Sequence, residues 1–259
     1  MLYVHQAGSP TAPAIVFLHG TGLSGRMWQP QFERLPDYYC LAPDLPEQGR
    51  SAHITPFRLE DTAQQVASLI KERVPSGRAH VVGLSLGGAV ALTLMRLAPE
   101  CVDYMLVTGT SARVGPVLGM LSHASKYLYP YLPPKALVAS VLRQNEIAQT
   151  YHDLLRDDLL TALNASFIGH YTSELMKLEL PAEATSPLLI ATGAQESLIA
   201  HHMARKLAQS IKGACSMTVP GVSHLWNLQT PDMFTDILRA WISDDPLAHT
   251  WLPLQVEMV

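Results

Sequence analysis

Charge is scarce in this 259-residue chain, and so is cysteine. Charged residues make up 15% of it, with a formal net charge of -4 and a pI near 6.2. No block of like charge occurs, so no stretch reads as an interaction tail. This balance gives no electrostatic footprint for nucleic acid or an anionic membrane. The three cysteines, Cys40, Cys101 and Cys215, are odd in number and widely spaced. They predict reduced thiols in a reducing compartment, not a disulfide framework. No apolar run exceeds strand length, which excludes a membrane span. The opening Met-Leu-Tyr-Val-His-Gln lacks a basic stretch followed by an apolar core, so no signal peptide is expected. A cytoplasmic protein follows from these absences. No metal site is expected either: His201 and His202 are adjacent, point to different sides of a helix and have no partner at ligand spacing. No cofactor motif is present, and no pattern speaks to oligomeric state.

What is present is apolar. Hydrophobic residues make up 48% of the chain, ample for one large domain or one domain carrying an insertion. Short apolar runs alternate with helical patterns, the signature of a parallel sheet covered by helices. The expected strands are Leu2–Gln6, Ala14–Leu18, Tyr39–Ala42, Ala79–Leu84, Tyr104–Thr108, Leu188–Thr192 and Ser216–Val219. Runs such as Ile15-Val16-Phe17-Leu18 lack polar alternation, as strands buried on both faces do. Helical periods cover Leu59–Val74, Leu86–Leu97, Met203–Ile211 and Met233–Ile242, the last entered through Thr230-Pro231-Asp232.

The alternation stops after Thr108. Residues 111–181 hold helical patterns, including Leu137–Leu142 and Ile147–Leu163, but no convincing strand. They also carry tyrosines at 127, 129 and 131 beside Pro130, Pro133 and Pro134. We read them as a helical insertion closing over one end of the sheet. Segments 1–110 and 182–245 then form the core, and 246–259 a tail with no assignable structure.

Chemistry concentrates at Gly83-Leu84-Ser85-Leu86-Gly87-Gly88, between a buried strand and an apolar helix. A strand that turns at once into a helix strains the turn residue and brings its neighbours too close for side chains. Glycines two before and two after Ser85 relieve that crowding. The serine hydroxyl is left exposed at the carboxyl edge of the sheet, beside backbone N–H groups of a helix N-terminus. The bland alternative is a glycine-rich packing turn with an incidental serine.

In this context Gly-Leu-Ser-Leu-Gly resembles the nucleophile elbow of the α/β-hydrolase family. The resemblance covers essentially Leu2 to Ile242. It implies an α/β fold with a mostly parallel central sheet, helices on both faces and a helical cap between the sixth and seventh family strands. Only one strand precedes Ala14, so the family's first antiparallel strand is expected to be missing. The resemblance also assigns roles. His19-Gly20-Thr21-Gly22 matches the family's oxyanion loop, which makes Thr21 and Leu86 the backbone donors, although Gly22 or Leu23 could replace Thr21. His19 itself reads better as a structural histidine, and Asp44 as a brace for the loop. His224, in Pro220-Gly221-Val222-Ser223-His224, stands where the family keeps its catalytic base. In Gly193-Ala194-Gln195-Glu196, Glu196 stands where the family often has aspartate; otherwise it is a solvated loop glutamate. The chain order Ser85, Glu196, His224 is the order of this fold.

These residues imply acyl transfer: Ser85 attacks, His224 moves the proton, Glu196 orients the imidazole, and the two amides hold the oxyanion. The substrate expected is a small molecule with an apolar acyl or alkyl group on an ester, thioester or lactone. Met120, Leu121, Tyr127, Leu128 and Tyr131 are candidate pocket residues, equally consistent with ordinary packing. Trp28 is a further candidate. The rivals are a carbon–carbon bond hydrolase of the same fold and a non-enzymatic ligand receptor on a hydrolase scaffold. Leu84 and Leu86 stand where the former typically has asparagine and methionine. Ser85 disfavours dehalogenases and epoxide hydrolases, which use aspartate, whereas a cofactor-free haloperoxidase side activity would use the same triad.

Overall fold

Within the run Ala14–Leu18, Val16 and Leu18 pack into one apolar cluster, while Ile15 and Phe17 pack into another on the opposite face. Side chains alternate across a strand, so a run that is apolar throughout must be covered on both sides. The computed structural model, which describes residues 1–110, 134–162, 165–243 and 256–258, supplies both covers. The strands are β1 (Val4–Ala7), β2 (Ala14–Leu18), β3 (Tyr39–Pro43), β4 (Ala79–Leu84), β5 (Val102–Thr108), β6 (Glu183–Gly193), β7 (Lys212–Val219) and β8 (Val256–Met258). They form one sheet in the order β1-β3-β2-β4-β5-β6-β7-β8. Only β1 against β3 and β8 against β7 are antiparallel; all other pairs are parallel.

On one face lie α2 (Leu59–Arg73), α3 (Leu86–Leu97) and α7 (Leu198–Ser210), which bring Val66, Leu92 and Leu207 into the cluster around Val16. On the other, α1 (Gln29–Arg34) precedes a cluster in which Trp28 lies 5.0 Å from Phe17 and 5.6 Å from Phe234, ring centre to ring centre. Phe234 belongs to α9 (Pro231–Ile242), which follows the short α8 (Trp226–Gln229). With Phe17, Trp28 and Phe234 all fully buried, truncating Phe17 to alanine would cost about 3–5 kcal/mol. Trp28 is therefore a core residue and does not face the site.

Between β5 and β6 run α4 (Pro134–Gln144), α5 (His152–Ala162) and α6 (Ala165–Met176). They are bound to the sheet's edge loops by polar contacts: Ser24 Oγ donates to Asp158 Oδ2 at 2.5 Å, His170 Nδ1 lies 3.0 Å from Glu47, and Leu59 N donates to Glu174 at 3.0 Å. The helix expected over Ile147–Leu163 begins as a tight turn at Gln149–Tyr151 and is helical to Ala162; Leu163 lies outside the described residues.

The structure extends other elements beyond their apolar signal. β6 starts at Glu183, but its first five residues are exposed or half-buried and only Leu188 onward is buried. An apolar run marks just the buried half of such a strand. α7 starts at Leu198, capped by Ser197, whose hydroxyl accepts from Ala200 N, and its first turn holds Leu198 and Ile199 in solvent, which breaks the period. The tail, to which the sequence assigns no structure, contributes β8, pairing Cys215 with Met258. Three residues are too few to show a strand period in sequence. Cys40 and Cys101 are buried and all three cysteines are free; burial pushes the Cys40 thiol up to about 12. Among the described residues no helix is long and apolar enough to cross a membrane.

Candidate active site

Ser85 sits between β4 and α3 with φ 55 and ψ -112. A non-glycine residue in such a conformation is strained and persists only where its surroundings fix it. They do so here: Ser85 N donates to Thr108 O at 2.9 Å, and Thr110 Oγ1 donates to Ser85 O at 3.1 Å. The flanking glycines are required by contact. A Cβ on Gly83 would lie 2.5 Å from Gly87 O, and one on Gly87 would lie 2.1 Å from Leu18 O. The crowding expected around the turn is present on both sides of it.

His224 comes from the loop after β7 and Glu196 from the loop after β6. The two loops are stitched together by Ala194 N to Val219 O and Gln195 N to Val222 O, at 2.8 and 2.9 Å. His224 Nδ1 donates to Glu196 Oε2 at 2.9 Å, and Gly193 N donates to Glu196 Oε1 at 3.3 Å. The Glu196 side chain is 7% exposed, which rules out a solvated loop glutamate. The imidazole is 37% exposed. Its loop is held by Ser223 N donating to Gln229 Oε1 at 2.8 Å and Leu225 N donating to Asn145 Oδ1 at 3.2 Å. Ser85 and His224 line one cavity of about 290 Å³. No hydrogen bond joins Ser85 Oγ to the imidazole; such contacts are commonly loose without substrate.

The Gly20–Leu23 segment lines the same cavity through Gly20, Thr21 and Leu23. Gly22 N donates to Gln48 Oε1 at 2.7 Å and Leu23 N to Gly20 O at 3.3 Å. Both alternatives to Thr21 are thus engaged, whereas the Thr21 and Leu86 amides have no acceptor among the described residues. His19 is structural. Its Nδ1 donates to Gly20 O at 2.9 Å and its Nε2 accepts from Leu45 N at 2.9 Å, fixing the neutral tautomer. Burial, opposed by the Gly20 hydrogen bond, lowers its pKa to about 4. Asp44 braces the loop, accepting from Gly25 N at 2.8 Å and Arg50 N at 2.7 Å.

The rest of the cavity wall comes from Leu84, Leu225 and the inserted helices, through Val141, Asn145, Leu159 and Tyr171. None of these four was singled out from the sequence: Val141, Leu159 and Tyr171 resemble any other helical side chain facing a core until packed, and Asn145 lies in the turn after α4. The candidates Met120, Leu121, Tyr127, Leu128 and Tyr131 lie outside the described residues. Gln48 and Gly109 were also missed as site residues; a glycine directly after strand β5 was the one available signal. A larger concavity of about 460 Å³, between Met1 and α2, is lined by no histidine or cysteine among the described residues. Among the described residues no group of acidic, histidine or cysteine side chains could hold a metal ion.

Comparison with known proteins agrees with this architecture. The chain is 29% identical over 251 residues to an AB hydrolase superfamily protein of Gibberella zeae, covering 92% of this chain and 83% of that one. It is 27% identical over 259 residues to the putative carbamate hydrolase RutD of Yersinia enterocolitica, covering 92% and 90%. The enol-lactonase of Burkholderia xenovorans LB400 superposes with a TM-score of 0.77 at 23% identity, covering 93% of this chain and 96% of the other. The model of the alpha/beta hydrolase family matches residues 15–237, and the chain belongs to that family.

Proposed function

We propose that this protein is a serine hydrolase that cleaves a carboxylic ester, thioester or lactone through Ser85, His224 and Glu196. The carrying observation is a strained, exposed-edge serine sharing one cavity with an imidazole whose far nitrogen is bonded to a buried carboxylate. As Ser85 Oγ bonds to the substrate carbonyl carbon, His224 Nε2 takes its proton and the Thr21 and Leu86 amides receive the oxyanion. Collapse breaks the carbon–oxygen or carbon–sulfur bond, and His224 returns the proton to the leaving group. Water then attacks the acyl-serine, again through His224, to release the acid and restore Ser85. Glu196 holds the imidazole with Nδ1 protonated and Nε2 turned toward the reacting atoms.

Leu23, Leu84, Val141, Leu159 and Leu225 give the lining an aliphatic side, and apart from the His224–Glu196 pair it carries no charged side chain among the described residues. Its volume of about 290 Å³ lies just below the ordinary ligand-pocket range of about 300–1,000 Å³. Both features favour an uncharged substrate with a short apolar acyl or alkyl group. Segments 1–110 and 182–245 act as the catalytic core and 111–181 as the cap that sets specificity. The test is labelling with a fluorophosphonate, followed by p-nitrophenyl esters of increasing chain length. Labelling should fall on Ser85, and Ser85→Ala should abolish turnover with its melting transition retained. Full activity in that variant ends the proposal, and one slow turnover with retained product favours a receptor instead.

A further inference from the structure

Gln48 is fully buried, yet it belongs to none of the strands or helices that carry the triad. Its backbone is fixed at both groups, with Gln48 N donating to Leu45 O at 3.1 Å and Ser51 N donating to Gln48 O at 3.0 Å. The Asp44 bonds to Gly25 and Arg50 brace the same segment. From this rigid position the side-chain oxygen reaches the Gly22 amide at 2.7 Å, the shortest polar contact made by the oxyanion loop's backbone.

The contact matters because of the turn it meets. Leu23 N donates to Gly20 O, and Gly22 has φ 76 while Thr21 keeps a negative φ. That is a type II turn, with Thr21 and Gly22 at its centre. Rotating the central Thr21–Gly22 peptide by about 180° converts such a turn to type I, which glycine tolerates freely. The Gly22 N–H belongs to that peptide, so its acceptor decides which turn forms. Gln48 Oε1 is that acceptor and so pins the turn, while the Thr21 amide, in the peptide just before it, has no acceptor among the described residues and lies beside the Ser85 cavity.

We propose that Gln48 is a positioning residue for the oxyanion site, fixing the Gly20–Leu23 turn through the Gly22 amide so that the Thr21 amide is held ready for the developing charge. This rests on the serine hydrolase reading above. It goes beyond that reading by assigning a role to a side chain that touches neither the triad nor the substrate. Gln48 Nε2 and Thr21 Oγ1, both buried, have no partner among the described residues, so the Gly22 amide is the one contact those residues give the Gln48 side chain.

The test uses Gln48→Met, which keeps length and burial but removes the acceptor. With a short p-nitrophenyl ester, kcat should fall about ten- to a hundredfold, the scale of a small misplacement of catalytic groups, while KM changes little. The inhibition constant of an alkyl trifluoromethyl ketone, whose serine adduct places an oxyanion in the hole, should rise by the same factor. A purely structural role would lower the melting temperature without this matched loss. Gly22→Ala keeps the amide but disfavours a positive φ, and should reproduce both changes; it decides the matter alone if Gln48→Met does not fold. Wild-type kcat and ketone affinity in a folded variant overturn the proposal. If Ser85→Ala were also fully active, the parent reading would fall; if Ser85→Ala is dead, only the role of Gln48 is lost.

Discussion

Gly109 lies against the His224 imidazole, so closely that a methyl group at position 109 would sit 2.4 Å from Cε1 and 2.6 Å from Nδ1. Gly109 also has φ 59, a conformation that disfavours a side chain by about 1–2 kcal/mol. Gly109→Ala should therefore lower stability by about that amount and push the ring from its place. We expect kcat to fall at least about a hundredfold, since displacement by about 1 Å suffices for that. Steady-state kinetics beside a thermal melt checks it, and a variant with native kcat would show that the ring does not need this floor.

Glu196→Gln keeps the size of the side chain but exchanges an acceptor for an amide opposite His224 Nδ1. Loss of the matching carboxylate in a triad lowers kcat by about 10⁴. A loss of about 10³–10⁴ is expected here, with the melting transition near native because Gly193 N still finds an acceptor. A loss below tenfold would remove Glu196 from the mechanism.

His19 makes the fold sensitive to acid. Its pKa is lowered by burial from 6.5 to about 4, so between those values the unfolded chain binds a proton that the folded one does not. Stability from this group is complete above pH 6.5 and declines as pH falls toward 4. At about 1.4 kcal/mol per unit the full loss is roughly 3 kcal/mol. Urea unfolding at several pH values should show this acid limb in the native protein and a shallower one in His19→Asn. Identical slopes would contradict the assignment.

Asp158 ties α5 to the loop after Thr21 by accepting from Ser24 Oγ, with Arg26 Nη1 at 3.9 Å. Burial raises its pKa; Ser24 and Arg26 oppose the shift and Asp44 adds to it. A carboxyl raised in the folded state favours folding less as pH rises past its unfolded value of 3.8. Asp158→Asn keeps an acceptor for Ser24 without the buried charge. Its melting temperature should exceed the native one most at pH 8, by about 2–4 °C per kcal/mol gained, and the gap should close toward pH 4. A gap that widens in acid would refute this.

The legible part of this protein was local. The elbow around Ser85 could be read because a strand meeting a helix in one residue demands glycines at fixed offsets. The parallel sheet could be read because strands covered on both faces must be apolar throughout. The positions of Glu196 and His224 followed from the resemblance and from chain order. Exposure breaks the apolar signal over the outer half of β6 and the first turn of α7, while α1, α8 and β8 are too short to show a period.

The amino-acid sequence determined the nucleophile candidate, since Ser85 directly follows the strand and glycines it is read from, and, through the family resemblance, the base and acid candidates in the loops after later strands. Tertiary structure alone decided that Glu196 is buried against His224, that Gly22 and Leu23 are occupied and Thr21 is not, and that Val141, Asn145, Leu159 and Tyr171 wall the cavity. Those facts depend on pairs far apart in the chain, such as Gly22 with Gln48 and Asn145 with Leu225. A sequence records what each residue can offer; only packing brings a donor within reach of its acceptor.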